Sequence, residues 1–124
     1  MSGLSRFEDL DCWKEARKLT FQIYEATKEA GFKRDFRLVS QIQSSSVSVM
    51  TNIAEGFTRH SEKEFIRFLH IALSSTAEVM SHLYVALDQS YMEKKDFENI
   101  FHQTKRTTEI ISGLLRYLKN KHKQ

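Results

Sequence analysis

Proline is absent from the 124 residues, and glycine occurs only four times. Proline and glycine are the strongest helix breakers, so little in this chain interrupts long helices. Gly31, Gly56 and Gly113 lie far apart, and the first two stand where periodic stretches end. A left-handed C-cap is predicted at Gly31, and Gly56 is predicted to stop a helix. The single cysteine, Cys12, excludes an internal disulfide and fits a reducing compartment. One residue before Trp13, it reads as a small apolar filler. No run approaches the roughly 18 uncharged apolar residues of a membrane span. The start, MSGLSRFEDLD, carries acids and lacks the apolar stretch of a signal peptide, so a cytoplasmic protein is predicted. Net charge is also small: 19 Lys and Arg against 16 Asp and Glu leave +3. A solubilising surface explains that excess as readily as a nucleic-acid partner.

What the chain does have is helical periodicity. The spacing predicts an all-α, up-down-up-down four-helix bundle in a single domain, with helices over about 7–30, 35–55, 62–89 and 94–119. In the first, Cys12, Ala16, Leu19, Ile23, Ala26 and Ala30 recur at steps of four and three, opened by a Ser5–Glu8 capping box. FKRDF, at 32–36, is read as a short connection whose two aromatics fold back onto the core. The second helix carries Leu38, Ile42, Val49 and Ile53 among serines that are poor helix formers, so tertiary packing must hold it. Ser61 with Glu64 forms a second capping box, opening the helix of Phe65, Phe68, Leu69, Ala72, Thr76, Val79, Leu83 and Ala86. Phe97, Ile100, Thr104, Ile111, Leu115 and Leu118 mark the last, where Gly113 permits a close approach or a bend.

The second and third predicted helices are poor in charge through their middles: 41–56 carries only Glu55, and 68–87 only Glu78. A helix half exposed to water normally shows a charged face, so another surface is expected to cover them, and self-association is the simplest cover. The assembly positions are Ser45, Ser46, Val49, Ser75 and Val79. The core of a monomer is the competing reading.

Chemistry is sparse. The histidines, His60, His70, His82, His102 and His122, form no Glu-x-x-His pair of the kind that builds a di-metal bundle. No glycine-bounded elbow presents a nucleophilic serine, and no phosphate-cradling loop or dinucleotide fingerprint is present. No catalytic residue, metal ligand or cofactor is assigned, and no enzyme is expected. The remaining signal is the junction NIAEGFTRHSEKEF. Asn52, Glu55, Gly56, Ser61 and Glu64 read as a structural corner, with Glu55 pairing Arg59 or Arg67. The functional alternative is a cationic patch of Arg59, His60, Lys63 and Arg67, to which the free N–H groups of the third helix add anion attraction; Lys105, Arg106, Arg116, Lys119 and Lys121 on the last segment form a separate basic run that would contact phosphate. Lys123 extends that run. The blander reading is that cations near a helix C-terminus complement its dipole.

Specific residues also carry a resemblance: F-E-D-L-x-x-W-K-x-A at 7–16, Tyr24, Gln41-Ile42, Ser48, Asn52-Ile53-Ala54-Glu55-Gly56, Arg59-x-Ser61, Glu64-Phe65, Phe68-Leu69-x-Ile71-Ala72, Ser75 and Glu78. With them the chain resembles the family named after proteins encoded in intervening sequences of bacterial 23S ribosomal RNA genes, loosely the S23 proteins. The resemblance implies a four-helix fold and a ring-like homopentamer, with no settled activity. Accessory variability proteins of diversity-generating retroelements are similar in fold, and they bind nucleic acid and a reverse transcriptase through basic surfaces. The implied partners are thus further copies of the chain, RNA or DNA, and a reverse transcriptase or other protein. The implied role is an oligomeric scaffold or adaptor, the alternative being a protein-interaction module without nucleic acid. The chain departs from the family at Gln43, Ser44 and Ser45, where arginines are frequent, at Ser74-Ser75, where Gly-Ser is frequent, and in a proline-free GFKRDF connection.

Overall fold

The computed structural model describes residues 5–121; residues 1–4 of the start, His122 and Lys123 lie outside that range. A 3-10 turn over Phe7–Asp9 leads into five α-helices: α1 (Asp11–Ala26), α2 (Ala30–Lys33), α3 (Phe36–Thr58), α4 (Glu62–Asp88) and α5 (Lys94–Lys121). The expectation of a four-helix bundle is therefore corrected: the domain is all-α and bundle-like, but its described residues form five α-helices.

The difference arises in the segment expected to be one helix over 7–30. Leu10 is extended, with φ −72° and ψ 129°, and separates the 3-10 turn from α1. The Ser5–Glu8 box opens no helix, because Glu8 pairs with Arg6 at 2.7 Å. At the far end Glu29 starts α2, accepting the N–H groups of Gly31 and Phe32 at 3.0 and 3.1 Å. Gly31 is thus inside a one-turn helix and not a left-handed cap. The turn carries Phe32 into full burial, stacked on Tyr91 with ring centroids 5.3 Å apart. Its companion Phe36 does not fold back; it is 81% exposed.

Successive long helices run antiparallel and close in the order α1, α3, α4, α5. Thr20 of α1 and Thr27, the residue after its end, meet Ser46 and Gln43 of α3. Ser45 and Ser48 of α3 meet His82 and Ser75 of α4. Tyr84 of α4 packs on Phe97 and Phe101 at the start of α5, and Glu62 pairs with Lys121 at its end. Glu15 of α1 binds Gln103 and Arg106 of α5. The bundle therefore has one end at the α3–α4 corner and the α5 C-terminus. The other end holds α2 and the α4–α5 connection.

Two apolar clusters fill the interior. Leu10, Cys12, Val49, Ile53, Leu69 and Leu115 belong to the cluster at the corner end. Leu19, Ile23, Phe32, Leu38, Leu83 and Phe97 belong to the other. Between them along α3, α4 and α5 lie the buried hydroxyls of Ser45, Ser46, Ser75, Thr76, Thr104 and Thr107. Among the described residues no helix is long and apolar enough to cross a membrane.

Candidate functional site

The α3–α4 corner is built by a close helix approach. Gly56 lies inside α3, two residues before its end, so it does not stop the helix as expected. A Cβ there would stand 2.6 Å from the Cβ of Phe68 and 3.1 Å from Cδ1 of Phe65. The helix ends at Thr58, and two residues on His60, with a φ of 54°, makes the left-handed turn that glycine usually supplies. Ser61 then caps α4, accepting the Glu64 N–H at 3.3 Å. The reciprocal half of the box is replaced, because the Glu64 carboxylate accepts two hydrogen bonds from Arg67, both at 3.1 Å. That pairing holds the Glu64 carboxyl below its usual range.

Glu55 takes Arg59, at 2.9 Å. The Arg59 and Arg67 guanidinium carbons lie 5.0 and 4.4 Å from the centroid of the Phe68 ring. Phe57 meets Phe65 edge-on at 5.9 Å, and Phe65 and Phe68 are both buried, so these rings are core. Asn52 works within its own helix, donating to the Ser48 carbonyl at 2.8 Å and to Ser48 Oγ at 2.9 Å. Ser48 Oγ in turn meets Ser75 Oγ at 2.8 Å, which carries the link across to α4.

The eight proposed phosphate-binding cations divide in two. Arg59, Arg67, Arg106 and Lys121 are engaged by carboxylates of the same chain. Lys63, Lys105, Arg116 and Lys119 are exposed and make no ion pair among the described residues. On α5, Lys105, Arg116 and Lys119 fall on one face, with Glu109 interrupting the row. The corner does not gather all eight into one patch.

The proposed assembly residues lie elsewhere than on a surface. Ser45, Ser46, Val49, Ser75 and Val79 are 0–5% exposed within a single chain. α3 and α4 supply cover for each other there, because their small residues allow close contact. What remains outward on these helices is still poor in charge: 38–54 carries no charged residue, and 68–87 carries only Glu78.

Two arrangements escaped sequence reasoning. Ser45 Oγ lies 3.3 Å from Nδ1 of His82, whose pKa burial holds below the usual imidazole value. Ser45 donates to the Ile42 carbonyl and is almost wholly buried, so its hydroxyl is not presented to a substrate. Glu15 is the second: 7% exposed, it gathers Gln103, Arg106 and Lys18 at 3.0–3.1 Å. The Gln103 hydrogen bond, followed by those of Lys18 and Arg106, keeps its carboxyl ionised to lower pH than usual. Its signal was present: Glu15 stands within the apolar stripe, three after Cys12 and four before Leu19. Among the described residues no group of three or more His, Cys, Asp or Glu side chains is placed to hold a metal ion.

Residues 8–113 match the family described as 23S rRNA-intervening sequence protein. The chain belongs to that family. Among solved structures it is similar to a protein of unknown function from the S23 ribosomal protein family of Bacteroides thetaiotaomicron VPI-5482. That similarity has 21% identity, covers 84% of this chain and 97% of the other, and has a TM-score of 0.78. At that identity it speaks for the fold alone. No curated protein matches the chain.

Proposed function

We propose that this family member is a non-enzymatic scaffold that assembles into a ring-like homo-oligomer of five and holds RNA or DNA on the exposed cations of α5 and the corner. The observation that supports self-association is the outward surface of α3 and α4, with Glu78 its only charge over 38–54 and 68–87. Tyr84 and Val85 of α4 and Phe36 of α3 add exposed apolar area to it. Lys63, Lys105, Arg116 and Lys119, exposed and without an ion pair among the described residues, support the anion-binding half. Five copies would multiply a weak cationic face into a multivalent one.

The test joins sedimentation velocity with binding of nuclease-treated protein to structured RNA and duplex DNA at two salt concentrations. The expected result is an oligomer that Val85→Arg, at an exposed apolar α4 position, converts to monomer. Binding should weaken steeply with salt and be lost in the Lys105→Glu/Lys119→Glu variant. A folded monomer, or an oligomer that ignores both nucleic acids at low salt, sinks the corresponding half. A second reading, a protein-interaction module without nucleic acid, is favoured by the internal pairing of Arg59, Arg67, Arg106 and Lys121.

A further inference from the structure

The end of the bundle remote from the corner carries a groove of about 840 Å³ between α1 and the α4–α5 connection. Its size falls in the range of ligand-binding clefts, roughly 300–1,000 Å³. Four carboxylates from three parts of the chain line it: Glu25 of α1, Glu29 ahead of α2, and Glu93 and Asp96 around the start of α5. No lysine or arginine lines it, although Lys94 and Lys95 follow Glu93 in sequence. Glu25 is shared with Lys28, while Glu93 and Asp96 have no ion pair among the described residues. Glu29 stays ionised to low pH because it accepts the Phe32 and Gly31 N–H groups.

A further feature points to what fits there. The wall is apolar at Phe21, Met92 and Ile100, and Phe21 is 67% exposed, an aromatic ring without cover. The carboxylates ask for N–H donors carrying positive charge, and the apolar wall asks for a hydrophobic side chain between them.

We propose that this groove docks a basic segment of a partner protein, with lysines or arginines on the carboxylates and one aromatic or long aliphatic side chain against Phe21, Met92 and Ile100. The apolar wall favours such a segment over a simple polyamine. The four lining carboxylates supply the charge complementarity for such a segment, and a second copy, which carries Lys63, Lys105, Arg116 and Lys119 exposed, is the rival occupant that sedimentation tests. The inference is independent of the nucleic-acid reading, which concerns the opposite charge on other surfaces.

Fluorescence anisotropy on the full chain tests it. The probe is a labelled octapeptide of six lysines and two phenylalanines, compared with octalysine and with spermine as a competitor. The phenylalanine peptide is expected to bind in the micromolar range, at least about fivefold tighter than octalysine. Glu93→Lys/Asp96→Lys should weaken it by about tenfold or more, while Glu78→Lys/Glu109→Lys, the same charge change elsewhere, should leave it within about twofold. Phe21→Ser, at an exposed position, should erase the preference for phenylalanine. Equal loss in both double variants, or octalysine or spermine matching the phenylalanine peptide, overturns the proposal. So does sedimentation showing that Glu93→Lys/Asp96→Lys abolishes a self-associated species of a protein that ignores the peptide, because a second copy would then own the groove. Circular dichroism of each variant separates lost binding from lost folding.

Discussion

Gly56→Ala is the substitution whose outcome the corner geometry decides. In an exposed helix it would stabilise, since glycine costs about 1 kcal/mol relative to alanine in a helix interior. At this position the new Cβ would stand 2.6 Å from Phe68 Cβ, 3.1 Å from Phe65 Cδ1 and 3.4 Å from the Phe65 Cα. Carbon atoms pack best at about 3.5–4.0 Å, so α3 and α4 must part by roughly 1 Å. Two of those neighbours are Cα and Cβ atoms, fixed to the α4 backbone, and no rotamer change moves them away. Separation would also stretch the Ser48–Ser75 contact, now 2.8 Å, toward the limit of a hydrogen bond. Overpacking of a tight interior costs about 1–3 kcal/mol. With the weakened hydrogen bond added and the helix propensity gain subtracted, a net loss of about 1–3 kcal/mol is expected. Urea unfolding followed by circular dichroism measures it, with a fall in midpoint temperature of roughly 3–6 °C per kcal/mol as the thermal counterpart. Gly113→Ala is the internal control. Its Cβ would meet only Arg116 Nη2 at 3.8 Å, so it should stabilise by about 1 kcal/mol. Gly56→Ala as stable as the parent would refute the argument from close approach.

Glu15→Ala should cost about 2–4 kcal/mol, since it strips Gln103 and Arg106 of a nearly buried carboxylate, and Glu15→Gln should cost less because an acceptor remains. The folded pKa of Glu15 lies below its unfolded value, so its contribution is complete above the ordinary carboxylate range and is lost as pH falls through the folded pKa. Stability measured against pH should therefore fall less steeply on the acid side in Glu15→Gln; an unchanged slope would count against this role. Tyr91 donates its hydroxyl to Asp35 Oδ2 at 2.9 Å while Asp35 Oδ1 caps α3 at the Leu38 N–H, so Tyr91→Phe should cost about 1 kcal/mol and Asp35→Ala more. The same contact raises the Tyr91 pKa, and its phenol should ionise above pH 10 in a spectrophotometric titration of the folded protein. Burial pushes the Cys12 thiol up to about 12, so a thiol reagent at pH 8 should label it only in denaturant. Rapid labelling of the native protein would show that Cys12 is not held inside.

The apolar stripes were legible in the sequence. Ile42, Val49 and Ile53 of α3, Leu69, Val79 and Leu83 of α4, and Ile111 and Leu118 of α5 are all fully buried, as their spacing demands. Helix ends were less legible, because glycine and left-handed backbone do not coincide here. The positive φ values fall on His60 and Ser90, each two residues past the end of a long helix, while Gly31, Gly56 and Gly113 lie within helices. At Ser90 the chain forms the bond pair of a Schellman motif, Tyr91 N–H to the Ala86 carbonyl and Ser90 N–H to the Leu87 carbonyl. Splitting the first helix had even less signal, since glutamate is not among the preferred N-cap residues and Glu29 nevertheless takes that place. At the corner the sequence offered Glu55 either Arg59 or Arg67; the structure gives it Arg59, and Arg67 goes to Glu64.

The serine-rich centre of α3, which suggested a surface awaiting a partner, has a local explanation. Ser45, Ser46 and Thr76 donate to carbonyls three residues back in their own helices, and Thr104 and Thr107 to carbonyls four back. Each hydroxyl so satisfied behaves as a small, nearly apolar side chain, and burying it carries little penalty. Thr20 extends the belt to α1, bonding both its own Ala16 carbonyl and the Ser46 carbonyl of α3. Small residues on all four long helices thus narrow the middle of the bundle between two clusters of bulkier side chains. A helix sliding by one or two turns would drive Ile42 or Val49 into that narrow belt and leave a serine opposite a large apolar side chain. Both changes are unfavourable, one by overpacking and the other by a cavity. The belt therefore sets the axial register of the helices, and that register brings Gly56 opposite Phe68 and Glu62 within reach of Lys121.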